Sequence, residues 1–349
     1  TPDPSFKWDF VHDYAELGAG RSPKKYHDYA EEFFARSKSQ NKPFYFMVNS
    51  HDPHRPFYDP EGRGKNGEEV PSRLFKPEEV VVPPYLPDLP KVRIEYSHYL
   101  NSVRRLDDTV GRVLQALEDS GLAGNTMVVF ITDNGSSFPF AKANTYVASN
   151  RTPMLVRWPG ITKPGSVDKT HFVSEVDFFA TFMDATGLPL PAGLDGRSLV
   201  PLLKGGDQAG RDFVFTQIDY TIGGPAKPMR CQARVEMFRH RVPQELYDLQ
   251  KDPGCLKNLI QDPSQQAVAK KYQDRLRQWM IETHDHCLAA FDVRGNPAQL
   301  AKAVANYPSL DKSGGLATEA GEEGEAKPSG GDDKVAKRKA NRTPTKATR

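Results

Sequence analysis

The chain has 349 residues, of which 38% are hydrophobic and 26% are charged, which gives room for one large α/β domain and a smaller one. No stretch is apolar enough to predict a membrane span, and three cysteines are too few for a disulfide scaffold. Residues 331–349 contain seven basic and two acidic residues, a net charge of +5, so the rest of the chain carries −3 of the total of +2. This negative net charge excludes a polyanion-binding surface on residues 1–330, and we predict no nucleic-acid partner for that part of the chain.

The amino terminus begins at Thr1 and continues into polar, proline-containing sequence. No signal peptide is visible in it. We interpret the sequence as a chain whose amino-terminal part has been removed.

The first predicted strand ends in a histidine-rich loop. A helix is predicted over 26–37, followed by a buried strand over 44–48. The strand leads into His51, Asp52, His54 and Arg55, interrupted by prolines. An imidazole such as that of His54 can move a proton or bind an oxyanion, and a guanidinium can pair with a sulfate or a carboxylate. A solvated turn stiffened by prolines is the alternative interpretation.

The second predicted strand, 127–131, follows an amphipathic helix predicted over 92–120. Its continuous apolar run is typical of a strand buried on both faces of a parallel sheet. It ends at Asp133 and Asn134, where open α/β sheets place their ligands. Carboxylate and amide oxygens suit Ca²⁺ or Mg²⁺ better than zinc. An Asn-Gly turn ending in Gly135 is the simpler alternative.

The later chain is predicted to be a mixed α/β region with a polar tail. Lys142 lies a few residues beyond Asp133, where it could neutralise an anion bound at the metal. The other predicted elements are strands at 154–160, 213–215 and 230–238, and helices at 171–187 and 267–283. The predicted fold class is α/β, a mostly parallel sheet flanked by helices. The predicted domains are 1–205 for the main α/β domain, 206–310 for a small α+β subdomain, and 311–349 for a disordered tail.

Several stretches together carry a resemblance to a known family. They lie at 44–56, 99–119, 126–135, 138–160, 228–230, 245–254 and 279–287. In this order they resemble the sulfatases of the alkaline-phosphatase superfamily, and within them the N-sulfoglucosamine sulfohydrolases. The resemblance implies a partial alkaline-phosphatase-like fold, and an enzyme that hydrolyses sulfuric esters or sulfamates of sulfated glycans outside the cytoplasm.

The resemblance also implies roles for individual residues. Asp133 and Asn134 match two ligands of the family's Ca²⁺, with Mg²⁺ as the alternative ion. His54 matches a histidine at the scissile bond, and Lys142 matches a basic residue that holds the sulfate. His51, Asp52 and Arg55 are expected to line the substrate pocket.

Two departures from the family pattern limit this expectation. The family's nucleophile is a formylglycine made from the first residue of a Cys/Ser-x-Pro-Ser-Arg motif, and that motif is absent from this sequence. Residues 69–73 imitate its end, but Glu69 occupies the nucleophile position. The formylglycine is therefore expected in the missing amino-terminal part, and this chain alone is expected to be inactive. In addition, residues 231–244 are shorter than the usual insertion there, which leaves the choice of substrate open.

Two other functions are compatible with the sequence. A phosphoryl-transfer enzyme of the same superfamily normally has Asp-His where this chain has Asp133-Asn134. A non-catalytic protein that binds sulfated glycans needs no nucleophile. The sequence leaves oligomeric state and the N- or O-linkage of the sulfate open.

Overall fold

The computed structural model describes residues 7–61, 69–207, 211–218 and 242–305. Its contacts divide the chain into two units, Thr1–Gln266 and Ala267–Arg349. In the first unit the helices are α1 Pro23–Gln40, α2 Pro90–Asp119, α3 Val147–Asn150, α4 Asp177–Ala185 and α5 Val200–Leu203. Next come α6 Gln266–Glu282, α7 Leu288–Asp292 and α8 Pro297–Ala305. Short 3₁₀ helices span Pro77–Glu79, Ala123–Asn125 and Pro263–Gln265. The strands are β1 Val128–Ile131 and β2 Met154–Arg157.

Helix α1 has well-defined signals at both ends. The Ser22 side chain accepts a hydrogen bond from the Lys25 backbone, and Pro23 occupies the first turn, where its missing N–H costs nothing. Asn41 ends the helix in the left-handed conformation, with a φ of 48°, and its N–H donates to the carbonyl of Lys38. The helix is therefore longer than the predicted span of 26–37.

The apolar core beside the candidate site lies between α1 and α2. Ala30 and Phe34 of α1 pack against Ala116 and Leu117 of α2, and Val128 of β1 lies at the edge of this cluster. Close to the site, α2 buries polar side chains instead, among them Asn101 and Arg105, both 0% exposed. One end of α2 therefore supports packing, and its middle supports a polar network.

The predicted parallel sheet is not formed by the described residues. Their one sheet is two-stranded and antiparallel, with Val128 opposite Arg157 and Ile131 opposite Met154. The strand predicted at 44–48 is an extended segment without sheet pairing among the described residues. Phe44 and Phe46 pack on the α1–α2 core, while alternate residues face solvent. The extended conformation predicted for these apolar runs is confirmed, but the parallel pairing predicted for them is not formed among the described residues.

The later predictions have mixed outcomes. Residues 213–215 are not a strand, and the described part of 206–310 contains helices α6, α7 and α8 without a strand. The predicted strand at 230–238 and the predicted tail at 311–349 lie outside the described residues. The domain boundaries at 205 and 310 therefore stay predictions. The helices that the structure describes include none that is both long enough and apolar enough to cross a bilayer.

Candidate active site

The histidine-rich loop after residue 50 is held by a buried carboxylate. Asp52 is 3% exposed, and its oxygens accept from Arg21 Nη1 at 3.0 Å, Arg105 Nε at 2.6 Å and Arg105 Nη2 at 3.1 Å. Arg21 also donates to the carbonyl oxygens of His54 and Pro56, each at 2.9 Å. The carboxylate that was expected to line a substrate pocket therefore has no exposed surface. In this structure Asp52 positions the loop that carries His54.

The two histidines of this loop lie side by side, with ring centroids 4.9 Å apart. The backbone N–H of His51 donates to the carbonyl of Gly20 at 2.9 Å. A Cβ at Gly20 would come within 2.9 Å of the His51 Cβ, and its φ of +65° also favours glycine, so only glycine fits this contact. These contacts fix the backbone of His51 next to His54.

The ring of His54 has a defined orientation. Its Nδ1 lies 2.7 Å from the carbonyl oxygen of Arg55. Because a carbonyl oxygen only accepts, Nδ1 carries the hydrogen, and we assign this tautomer from the contact. Nε2 is then the nitrogen that can exchange a proton with a bound molecule. The exposed position of the residue allows such contact.

Asp133 and Asn134 follow β1 directly, as predicted. Asp133 is exposed and Asn134 is half-buried. One Asp133 oxygen, Oδ1, accepts from the Asn134 backbone at 2.9 Å, which orients the carboxylate. No other hydrogen bond or ion pair holds these two side chains within the described parts of the chain. Their remaining oxygens are hard donors suited to Ca²⁺.

Glu175 is a functional candidate that the sequence did not reveal. Burial is the larger cause of a raised pKa for its carboxyl group, and the charge of Asp133 raises the pKa further. The Glu175 carboxyl group is thus within electrostatic range of Asp133, and no cation pairs with Asp133 among the described residues. Such a pair is a favourable setting for a divalent cation. No sequence motif marks Glu175, because it is distant from Asp133 in the sequence and comes near it only in the folded chain.

The position of Gly135 is set by a close backbone approach. A Cβ there would lie 2.0 Å from the Ala148 carbonyl oxygen and 2.4 Å from that of Ala141. Its N–H donates to the Ser149 carbonyl at 2.9 Å. The residues that follow β1 therefore do not form the tight Asn-Gly hairpin considered above. Gly135 allows the chain to pass against α3.

Lys142 lies between two residues in the left-handed conformation. Phe140 has a φ of 69° and Ala143 a φ of 58°, which is strained for residues other than glycine. Phe140 is buried against Tyr146 and Cys255, and this packing supports the strain. The half-buried ammonium of Lys142 has no ion-pair partner in the described parts of the chain. Such a cation is available to an anionic ligand.

Arg55 joins the two loops. Its Nε donates to the Ser137 carbonyl at 3.2 Å, and its guanidinium lies 4.3 Å from the ring centroid of Phe57 and 5.3 Å from that of Phe138. It also pairs with Glu95. The structure therefore brings the loop of His54 against the loop that runs from Asp133 to Lys142. Sequence reasoning placed Arg55 in this neighbourhood but gave no indication that it bridges them.

A cavity of about 680 Å³ opens beside Arg55. It is large enough for a sugar unit, and its lining combines an aromatic ring with charged and polar groups, which suits an amphiphilic ligand. Its lining includes Arg55, Phe57, Asp59, Lys91, Glu95 and His98.

The chain belongs to the sulfatase family. The family model described as Sulfatase matches residues 3–188, which is more than half of the chain. A second model, described as N-sulphoglucosamine sulphohydrolase, C-terminal, matches residues 135–282. The resemblance stated from the sequence motifs is therefore confirmed.

Among curated relatives, human N-sulphoglucosamine sulphohydrolase is 26% identical over 72% of this chain and 63% of its own length. A sulfatase of Formosa agariphila is 32% identical over 53% of this chain and 40% of its own length. The chain thus spans less than two thirds of either relative.

Solved structures support the fold. A putative sulfatase from Bacteroides fragilis has a TM-score of 0.54 and 20% identity, covering 76% of this chain and 59% of that one. A phosphonate monoester hydrolase from Silicibacter pomeroyi has a TM-score of 0.54 and 21% identity, covering 84% and 64%. The mixed helix and sheet of this chain therefore shares its architecture with sulfatases and with a phosphonate hydrolase.

Proposed function

We propose that this chain forms the metal-binding and sulfate-binding part of a hydrolase that removes sulfate from sulfated glycans, with N-sulfated glucosamine as its substrate. The observation that carries the proposal is the junction made by Arg55 between the loop of His54 and the loop of Asp133, Asn134 and Lys142. The substrate is supported by the match to the N-sulphoglucosamine sulphohydrolase C-terminal model and by the similarity to the human enzyme of that name. An extracytoplasmic location is part of this proposal.

Asp133 and Asn134 are suited to hold Ca²⁺, with Mg²⁺ as the alternative. Their side-chain oxygens are hard donors, and the negative charge shared with Glu175 favours a cation. Bound calcium would supply positive charge to the sulfuryl oxygens. Two ligands fill only part of the six to eight oxygen positions that Ca²⁺ usually takes, so we expect weak binding by this chain alone.

The other site residues have separate tasks in this proposal. Lys142 pairs with the sulfate oxygens and offsets the charge that develops on them. In its protonated form His54 carries a hydrogen on both ring nitrogens, and it gives the one on Nε2 to the departing nitrogen or oxygen of the sugar while Nδ1 keeps its hydrogen bond to the Arg55 carbonyl. Arg55 and His51 contact the substrate and support His54, while Asp52 acts only by positioning this loop.

The residues of this chain do not fit a formylglycine. Its three cysteines are followed by Gln232, Leu256 and Leu288, and none begins a Cys-x-Pro-Ser-Arg motif. At the imitation motif, Glu69 accepts a hydrogen bond from the Ser22 hydroxyl, which gives this segment a structural task. The expected result is that the 349-residue chain hydrolyses no sulfate.

The metal assignment is tested by calorimetric titration of the chain with CaCl₂. Asp133→Ala is expected to abolish the weak calcium binding of the parent, because it removes the one charged ligand. Asp107→Ala is the matched control, since this exposed carboxylate on α2 pairs with Arg104 and lies outside the site. Equal calcium affinity in Asp133→Ala and the parent would show that the assignment is wrong.

The activity is tested with three substrates: N-sulfoglucosamine, a chromogenic aryl sulfate and a phosphonate monoester. The isolated chain is expected to turn over none of them. The protein expressed from the complete reading frame is expected to release sulfate from N-sulfoglucosamine, and Lys142→Ala to slow this about 100-fold or more. Turnover of the phosphonate alone would support the phosphoryl-transfer alternative, and glycan binding without turnover would support the non-catalytic one.

A further inference from the structure

A second group of metal-binding side chains lies on the surface between α1 and α2. His27 and Glu31 come from α1, and Asp119 is the last residue of α2. One ligand atom from each of the three lies within 4.8 Å of the others. We propose that these residues form a zinc site that joins the two helices. The proposal is independent of the sulfatase function.

The geometry of α1 prepares two of the ligands. Residues four apart on a helix lie on the same face, and His27 Nδ1 is 3.5 Å from Glu31 Oε2. The His27 side chain is only 19% exposed, so its ring is largely fixed, whereas the Glu31 side chain is 53% exposed and can be reached from solvent. The pair can therefore take up an ion without rearrangement of the helix.

The third ligand is brought in by the core. Ala30 and Phe34 pack against Ala116 and Leu117 next to the group, and this contact fixes the end of α2 beside α1. Asp119 accepts one hydrogen bond, from Gln115 at 2.9 Å, which orients its carboxylate. A bound ion would therefore tie together two helices that already pack.

The charge of the group calls for a cation. Glu31 and Asp119 lie close together, and within the described parts of the chain neither forms an ion pair with a lysine or an arginine. Lys24 interacts with Glu31 only at longer range, because its ammonium pairs with Asp28 at 2.5 Å, and the ammonium of Lys38 donates to the Ser120 carbonyl at 2.9 Å. Two carboxylates thus converge on one imidazole, and neither is directly paired with a lysine or an arginine among the described residues.

The ligand types select zinc over calcium. One imidazole nitrogen and two carboxylate oxygens are common Zn²⁺ ligands, and three protein ligands leave the fourth tetrahedral position to water. Calcium prefers oxygen ligands only, and more of them. The same chain can therefore bind calcium at Asp133 and zinc at His27.

The test is calorimetric titration with ZnCl₂ under reducing conditions in excess CaCl₂, which occupies the oxygen ligands at Asp133. All proteins carry Cys231→Ser and Cys287→Ser. Cys231 lies outside the described residues, and Cys287 forms another possible zinc-binding group with Asp285 and His286. The parent is expected to bind one zinc ion, and zinc is expected to raise its unfolding temperature.

His27→Ala, Glu31→Gln and Asp119→Asn are each expected to weaken zinc binding about tenfold or more. The two amide variants keep the side-chain shape, so loss of zinc binding without loss of folded structure identifies a ligand. His171→Ala is the matched control. His171 also lies between two carboxylates, but these contact opposite ring nitrogens and cannot converge on one ion. Zinc binding unchanged in all three ligand variants, or absent in the parent, would overturn the proposal.

Discussion

The two loops that form the candidate site are held by different forces. The loop of His51 to Pro56 is held by charge, because the buried carboxylate of Asp52 forms ion pairs with Arg21 and Arg105. The loop that runs from Asp133 to Ala143 is held by packing and backbone fit, with Gly135 against two carbonyl oxygens and Phe140 in an apolar cluster. Its own charged groups, Asp133 and Lys142, are left without ion-pair partners among the described residues.

This difference separates structure from chemistry in the site. In the first loop the charged side chains hold the fold, and the exposed ring of His54 is left for a ligand. In the second loop backbone and apolar contacts hold the fold, and the charged side chains are left for a ligand. Substitutions should therefore destabilise the first loop when they remove ion pairs, and the second loop when they disturb backbone fit or apolar packing.

The largest expected effect is that of Arg105→Met. It keeps much of the side-chain volume but leaves the buried Asp52 with one of its two arginines, which should lower the free energy of unfolding by about 3–5 kcal/mol. Urea unfolding measures this loss. Arg104→Met is the control, because the Arg104 side chain is exposed, and its pairs with Asp107 and Asp108 and its hydrogen bond to the Ser72 hydroxyl should together be worth about 1 kcal/mol or less. Equal losses in the two variants would mean that charge does not hold the first loop.

Gly135→Ala should break the second loop through sterics. The added Cβ would meet a carbonyl oxygen at 2.0 Å, so the backbone must shift, at a cost of about 1–3 kcal/mol. Calcium titration of the same variant should also show weaker binding, since the shift displaces Asp133 and Asn134.

Gly111→Ala provides the comparison for this experiment. It adds the same methyl group on α2, where nothing lies within 4 Å of the new Cβ, and should stabilise the helix by up to about 1 kcal/mol. If Gly135→Ala proves as well tolerated as Gly111→Ala, close packing does not hold the second loop.

The sequence predicted the parts of this site that depend on local order. The apolar run before Asp133 indicated an extended segment, and the prolines around His54 indicated a loop. The spacing of apolar residues over 92–120 indicated the helix α2. Arg21, Arg105 and Glu175 could not be found in this way, because each reaches its partner across at least 31 residues of chain. The pairing of β1 with β2 was missed for a related reason, since an apolar run specifies burial but not the direction of its neighbour.

A smaller effect of opposite sign is expected for Ala143→Gly. Ala143 has a φ of 58°, and glycine adopts this conformation without steric strain, so the variant should gain about 1 kcal/mol of stability. Ala35→Gly, at an exposed site inside α1, should lose about 1 kcal/mol instead. Urea unfolding of both variants checks the pair. Loss of stability in Ala143→Gly would show that the strain beside Lys142 is already relieved by a contact of the alanine methyl group.

The smallest effect concerns an exposed counterpart of the ion pairs in the first loop. His171 contacts Asp168 and Asp207, each at 2.7 Å, and the hydrogen bond with Asp207, followed by that with Asp168, raises the pKa of the imidazole. The pKa of Asp168 is lowered to about 2, chiefly by backbone hydrogen bonds, so this carboxylate stays ionised. The protonated imidazole therefore stabilises the folded state fully below its ordinary pKa of 6.5, and this contribution is lost as the pH rises through the raised pKa.

Thermal unfolding of the parent and His171→Gln at about pH 5.5 and about pH 8.5 tests this sign. The parent should exceed the variant in unfolding temperature by more at the lower pH. A difference between parent and His171→Gln that is the same at both pH values would mean that this exposed pair contributes nothing through charge. Ion pairs would then stabilise a loop of this protein only where they are buried.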